Sequence, residues 1–315
     1  MSDPASGSTR RPRKLANQRA EFEAARADIE AQVRARTEKI NARSGRNLLS
    51  AVAVGVALGG SVLVSLIFVK ELFMVFGTVL LIFTSFELAS ALRFAGRDVP
   101  RIPTVIAAVA VVPAAFYGLA TGHWLATLGG VAFVSLWRLA ELVSPKRRVS
   151  RGDLLKEIGA GAFILSYVAF LGGFTVLLTA QDGGQWWTLA FLVVVVSVDV
   201  GAYASGLNFG KHPMAPTISP KKTWEGFAGS VVTALVAGIL CSIFMLQQPW
   251  WVGIIFGATL VVTATMGDLA ESLIKRDLGI KDISTWLPGH GGFLDRLDSI
   301  LPSAAAAYAL YLVFT

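Results

Sequence analysis

The sequence predicts an all-α, polytopic integral membrane protein with about nine transmembrane helices and a cytoplasmic N-terminus. Three observations carry this reading. Only 16% of the 315 residues are charged and 54% are hydrophobic, with a mean hydropathy of +0.61, whereas a soluble domain has about a quarter charged. The apolar residues fall in long runs, most of them near the ~20 residues that cross a hydrocarbon core as a helix. Lys and Arg are abundant in alternate connections between these runs and nearly absent from the others, as the positive-inside rule requires.

Residues 1–46 hold eleven of the 28 Lys and Arg. They read as a basic cytoplasmic tail, partly helical or disordered. Leu15, Phe22 and Ile29 recur every seven residues, but this apolar stripe is thin. The tail is too long and too charged for the n-region of a cleaved signal peptide. Residues 47–315 read as one membrane-embedded domain, with spans at 47–69, 73–94, 102–121, 124–143, 158–180, 186–207, 226–246, 251–273 and 300–314. With the N-terminus inside, the cytoplasmic connections carry Arg93, Arg97 and Arg101, then Lys146, Arg147, Arg148, Arg151 and Lys156, then Lys211, Lys221 and Lys222, then Lys275, Arg276, Lys281 and Arg296. The opposite side carries only Lys70. This places a multi-pass protein in the cell (inner) membrane, with its two long polar loops, 208–225 and 275–298, on the cytoplasmic side.

The net charge of +7 is therefore assigned to membrane flanks and not to nucleic-acid binding. The single cysteine, Cys241, lies in an apolar run, which excludes an intrachain disulfide and points to a packing role. Gly55 and Gly59 form a GxxxG that serves either a homodimer contact or packing within one bundle. No internal repeat at a fixed period is visible.

Ionisable groups inside spans mark function or paired structure. Arg138 and Glu141 are three apart and can pair on one helix face. Glu87 is open between a structural hydrogen-bonding role and a functional one. Asp199 lies well inside the sixth span. Asp268, Glu271, Ser272 and Lys275 stand at i, i+3, i+4 and i+7, on one helix face leading into the polar loop. Asp295, Asp298 and Ser299 repeat the i, i+3, i+4 spacing as the ninth span begins. Two helix ends bearing carboxylates suit a hard cation such as magnesium, which takes one or two carboxylates and completes its shell with water and phosphate. His290, His123 and His212 are scattered in different loops and do not form a zinc set.

Between these helix ends, Pro288 to Gly292 reads Pro-Gly-His-Gly-Gly, flanked by Lys281 and Arg296. Such a loop lets backbone amides approach an anion. The other polar loop offers Ser219-Pro220, Thr223 and Glu225 as helix-start chemistry. Its adjacent Lys221 and Lys222, with Lys211, add cation density suited to a polyphosphate.

At these residues the sequence resembles the phosphatidate cytidylyltransferases, or CDP-diacylglycerol synthases. The run Ser272, Lys275-Arg276, Lys281-Asp282, Ser284, Leu287-Pro288, His290-Gly291-Gly292, Asp295-Arg296 and Asp298 looks like their signature, in order. Ser219 to Gly226, read Ser-Pro-Lys-Lys-Thr-Trp-Glu-Gly, and Asp199, Ala202, Tyr203 and Gly206 also look like that family. The resemblance implies transfer of the cytidylyl group of CTP to phosphatidic acid at the bilayer, giving CDP-diacylglycerol and pyrophosphate with Mg2+. It also implies a second, monovalent cation such as K+, which no residue here indicates. Carried over by motif, Asp268 and Asp295 hold the metal centre, with Glu271 and Asp298 as further candidate ligands. Lys275, Arg296 and His290 complete the catalytic set, His290 as an orienting donor. Ser219, Lys221, Lys222, Thr223, Ser272, Arg276, Lys281, Gly291, Gly292 and Asp199 bind the phosphates of CTP and phosphatidate. The alternatives are a CTP- or ATP-dependent lipid-alcohol kinase, which needs a base for the hydroxyl proton, and a cation or lipid transporter using Asp199, Asp268 and Asp295.

Overall fold

The computed structural model describes residues 48–280, 283, 284, 286 and 291–315. The basic tail, and Lys281, Asp282 and His290 of the expected site, lie outside these residues. The chain divides into two units, residues 1–56 and residues 57–315, and the site belongs to the second.

Helices dominate, as the apolar runs require. They are α1 (Leu48–Phe68), α2 (Leu72–Phe94), α3 (Arg101–Glu141), α4 (Arg151–Ile164), α5 (Leu171–Ala180), α6 (Gly184–Phe209), α7 (Trp224–Phe244), α8 (Trp250–Asp277), a single turn α9 (Leu294–Leu297) and α10 (Ile300–Phe314). Among the described residues, seven helical stretches are long and apolar enough to cross a membrane, by length and composition. One of them joins α4 to α5 through a π-helical turn at Leu165–Phe170, and another runs from α9 through α10.

The spans expected at 102–121 and 124–143 appear as one helical stretch, α3, of 41 residues. It is broken at Leu119, whose φ of 49° and ψ of −145° are not helical. A Cβ placed on Gly122 would lie 2.2 Å from the Ala114 carbonyl oxygen, and one on Gly130 would lie 3.2 Å from the Ala107 Cβ. Residues this far apart in sequence meet only if the chain reverses. The stretch is therefore a helical hairpin of two antiparallel arms.

His123, expected in a loop, is fully buried on the second arm of α3, where its Nε2 makes a 3.0 Å hydrogen bond to the Phe170 carbonyl at the end of the π-helical turn. A π turn leaves backbone groups without their usual helical partners, and His123 answers one of them.

The expected glycine contact is elsewhere. A Cβ at Gly55 or Gly59 would meet nothing within 4 Å, so these glycines do not pack against another helix among the described residues. The close seam lies between α6, α7 and α8. A Cβ on Gly201 would fall 2.1 Å from Thr233 Oγ1, one on Gly238 would fall 2.4 Å from the Gly253 carbonyl, and one on Gly257 would fall 2.5 Å from the Ala234 carbonyl. Small residues let helix backbones touch where lipid supplies no hydrophobic drive. Thr233 Oγ1 also donates to the Ser197 carbonyl at 2.8 Å, which fixes α6 against α7. Cys241 is buried and free in this region.

One departure from the all-α expectation is an antiparallel hairpin of β1 (Pro213–Ala215) and β2 (Ser219–Thr223), inside the loop read as 208–225. Thr223 ends β2 and caps α7, its hydroxyl accepting from the Gly226 amide at 3.1 Å.

The Arg138–Glu141 pair is present at 3.6 Å, but Arg138 turns mainly to Glu157 of α4, at 2.8 and 2.9 Å. Both partners of this pair are buried. Asp98 extends the network to Arg93 at 2.8 Å and Arg147 at 2.9 Å, joining the ends of α2, α3 and α4. Removing one member of a buried pair costs about 3–5 kcal/mol. Arg138→Ala is therefore expected to lower the unfolding temperature of the detergent-solubilised protein markedly, while Arg93→Ala, at a half-exposed pair, shifts it little.

Candidate active site

A cleft of about 270 Å³ opens between α6, the β-hairpin, α7 and α8. Its walls include Asp199, Tyr203, Lys221, Lys222, Thr223 and Asp268. Residues up to 70 apart in sequence, Val198 and Asp268, thus meet here because the glycine seam draws α6, α7 and α8 together. Side chains alternate along a strand, so neighbouring Lys221 and Lys222 differ in setting. Lys221 is exposed at the rim and Lys222 is half-buried. The Lys222 ammonium is paired with the Asp268 carboxylate. Asp199 lies within electrostatic reach of Asp268, Lys222 and Arg296.

The expected helical face on α8 is present, because the helix continues unbroken to Asp277. Glu271 is fully buried, and its charge is met by Lys275 one turn later. Lys275 also donates to Asp295 Oδ1 at 2.9 Å, which ties α8 to the short helix α9. Ser272 is half-buried on the same helix. Arg276 donates from Nε to the Ile218 carbonyl at 3.2 Å and so clamps the tip of the β-hairpin. Ser219 opens β2 beside it.

The expected metal carboxylates fall into two groups. Asp295 stands with Glu271 and Lys275, and its Oδ2 accepts from the Gly292 amide at 2.7 Å. Asp298 instead lies within reach of the charges of Asp268, Asp199 and Lys222. Asp298 and Ser299 keep helical backbone angles between α9 and α10, so the expected i, i+3 spacing of the two aspartates is present, and along it they turn to different partners.

The glycine loop is described from Gly291 onward. Gly291 has φ of +82°, a conformation glycine adopts without strain. At Gly292 a Cβ would crowd Glu87 Oε2 at 3.0 Å and Ser284 Oγ at 3.1 Å. The amides here serve carboxylates of the chain itself: Gly292 bonds Asp295, while Phe293 and Leu294 donate to Glu87 at 3.0 and 3.1 Å. The helix that follows is four residues long, and Glu87 already occupies its first amides.

A model of the cytidylyltransferase family matches residues 49–314, nearly all of the membrane domain. The chain belongs to this family. It is similar to the phosphatidate cytidylyltransferase of Mycobacterium bovis, at 41% identity over 272 residues, covering 84% of this chain and 89% of the relative. It is 39% identical to the phosphatidate cytidylyltransferase of Mycobacterium leprae over 277 residues, covering 85% and 88% of the two chains. The Staphylococcus haemolyticus phosphatidate cytidylyltransferase is 34% identical over 204 residues, 64% of this chain and 75% of the relative.

Two residues of this family member take positions at the site that sequence reading did not assign. Glu87 of α2 is buried and anchors the glycine segment, accepting from Ser284 as well as from the two amides. Around it, Phe83 stacks on Phe293 at 4.6 Å and Phe86 stacks on Trp286 at 5.7 Å. An apolar helix carrying one carboxylate was the available signal, but its partners lie about 200 residues later. The second is Tyr167, in the π-helical turn. Its hydroxyl is buried without a hydrogen bond among the described residues, and it lies within reach of the charges of Asp298, Glu271 and Asp268. No sequence signal marks it.

The donor set fits a hard cation. Among the described residues, no three His, Cys, Asp or Glu side chains form a ready metal cage. Magnesium does not need one, since one or two carboxylates suffice when water and phosphate fill the shell. Asp268 and Asp298 supply oxygen donors of that kind, and the orphaned Tyr167 hydroxyl beside them is a group such a shell would satisfy.

Glu87→Gln replaces one of the two oxygens that accept from the Phe293 and Leu294 amides with an NH2 group, so one of these amides loses its acceptor, and an unsatisfied buried group costs roughly 1–3 kcal/mol. At least one of the Phe293 and Leu294 amides is expected to exchange with deuterium about ten-fold faster or more in this variant, while amides of α7 keep wild-type protection. Hydrogen-exchange mass spectrometry of residues 283–300 checks this.

Proposed function

We propose that the protein transfers the cytidylyl group of CTP to phosphatidic acid, releasing pyrophosphate and forming CDP-diacylglycerol for phospholipid synthesis. The observation that carries this reading is the cleft in which Asp199, Lys221, Lys222, Thr223 and Asp268 converge from three elements. Family membership, and the shared name of the relatives, set aside the kinase and transporter alternatives.

The nucleophile is a phosphate monoester, whose second ionisation falls near pH 6. One of its oxygens attacks the α-phosphorus of CTP, and the bond to the bridging oxygen of the β-phosphate breaks. The attacking oxygen carries no proton that must be removed first, so this chemistry asks the chain for positioning and charge neutralisation. Lys221 and Lys222 face the cleft and are placed to bind the triphosphate. Arg296, on the side of the signature segment, is placed for the lipid phosphate. Lys275 holds Asp295 and Glu271 and keeps α9 seated on α8. Asp268 and Asp298 are the residues we assign to Mg2+, which when bound adds positive charge at the phosphates. Asp295 is the alternative ligand. The monovalent cation implied by the resemblance has no residue assigned to it.

We place the chain in the cell membrane with its N-terminus and cleft on the cytoplasmic side. Counting the two arms of α3 separately, and α1 as a span, gives nine crossings. This count supports the orientation, because it puts the Arg93–Arg101, Lys146–Lys156, Lys211–Lys222 and Lys275–Arg296 segments together on one side.

Purified protein with labelled CTP, phosphatidate and Mg2+ is expected to form labelled lipid, and chelation of divalent cations is expected to stop it. Asp268→Asn is expected to lower kcat by about 100-fold or more while the protein keeps its unfolding temperature. Near-normal turnover would remove Asp268 from the metal site. Lys222→Ala is expected to raise the KM for CTP by about ten-fold. An unchanged KM would leave that strand with a structural role.

A further inference from the structure

Behind the signature segment lies a second cavity of about 300 Å³, separate from the cleft and almost wholly apolar. Gly59 of α1, Gly77 and Leu80 of α2, Val176 of α5 and Leu192 of α6 form its walls, and Arg296 is the one charged residue among the described residues that line it. We propose that this cavity holds an acyl chain of the lipid substrate, with the lipid phosphate at Arg296. The inference rests on the lipid-phosphate substrate proposed above and goes further by naming where the hydrocarbon is read.

Four observations converge on this occupant. First, the cavity lies within membrane-spanning helices, and Val196, one of its wall residues, is 56% exposed. The cavity therefore reaches a lipid-facing surface of α6. Second, an Arg at the end of an otherwise apolar chamber complements an amphiphile with an anionic head and a hydrocarbon tail. Third, Arg296 is also within electrostatic reach of Asp199, which lines the cleft. Leu192 and Val196 of the apolar chamber and Asp199 and Tyr203 of the cleft stand at i, i+4, i+7 and i+11, so the two chambers follow one another along one face of α6, and Arg296 lines the apolar one. A phosphate at Arg296 is next to the nucleotide side, while its chain extends into the apolar side. Fourth, a Cβ on Gly59 would meet nothing within 4 Å among the described residues. The missing side chain keeps the chamber open.

The volume is at the lower end of small-molecule sites and suits a single chain. A larger residue at 59 should therefore shorten the chain that is accepted, without touching the charged groups. The test is a graded series, Gly59→Ala, Gly59→Leu and Gly59→Phe. Each is assayed with CTP and phosphatidates bearing either two hexanoyl or two palmitoyl chains in mixed micelles. The expected result is a KM for the palmitoyl substrate that rises along the series, by about ten-fold for Gly59→Phe. The hexanoyl KM and the KM for CTP stay at wild-type values. Unfolding temperature and light scattering follow folding and oligomeric state, and Gly59→Leu carries the comparison if Gly59→Phe does not fold. An unmoved chain-length profile, or an equal loss with both substrates, overturns the cavity assignment and leaves the proposed reaction standing. An equal loss together with a change in molecular mass also overturns it and assigns Gly59 to contact with a second copy of the chain. Wild-type protein that turns over neither phosphatidate overturns the proposed reaction itself, and the cavity assignment falls with it.

Discussion

A carboxylate inside a membrane must be met by a partner, because lipid offers it no solvation. Glu271 is fully buried, and Lys275 answers it one helical turn later while also reaching Asp295. The same requirement recurs around the site. Asp268 is met by Lys222 from the β-hairpin, and Glu87 is met by the backbone of the signature segment. Several of these contacts join elements distant in sequence. At the polar end of the bundle, neutralising the charges and assembling the site are therefore one process.

Deeper in the bundle the work is done by the absence of side chains. Gly201, Gly238, Gly253 and Gly257 let α6, α7 and α8 approach at backbone distance. That approach brings Asp199 of α6 and Asp268 of α8 to the same cleft. Charge pairing at one end and close packing below it are complementary: the glycines set how far apart the helices stand, and the ion pairs set how the polar ends turn. Catalysis by positioning needs both, since neither lysines nor carboxylates help unless they are held where phosphate charge develops.

Much of this was legible in the sequence. Helix ends fell close to the expected limits because hydrocarbon thickness sets a run length that composition records directly. The α8 face from Asp268 to Lys275 followed from helical spacing alone. What was not legible involves departures from a single regular helix or contacts between distant elements. Spacing put Asp295 and Asp298 one helical turn apart, but it does not reveal that they meet different partners from distant elements. The strands β1 and β2 are too short to show a periodic pattern. Glycines before a helix resemble an anion loop, yet the described amides there bind Glu87 and Asp295, and no local pattern reveals a partner on α2. Gly55 and Gly59 had the spacing of a helix contact, but spacing does not say whether a neighbour is present.

The distance between Glu87 and its partners has a consequence for how the protein is made. Glu87 belongs to an early helix, and the amides it binds are 206 and 207 residues further on. At about 5–20 residues per second, a ribosome takes roughly 10–40 s to supply them. During that interval the carboxylate lies in a newly inserted helix whose eventual partners do not yet exist. The signature segment can therefore dock onto α2 only once residues 293 and 294 have been made, well after α2 itself.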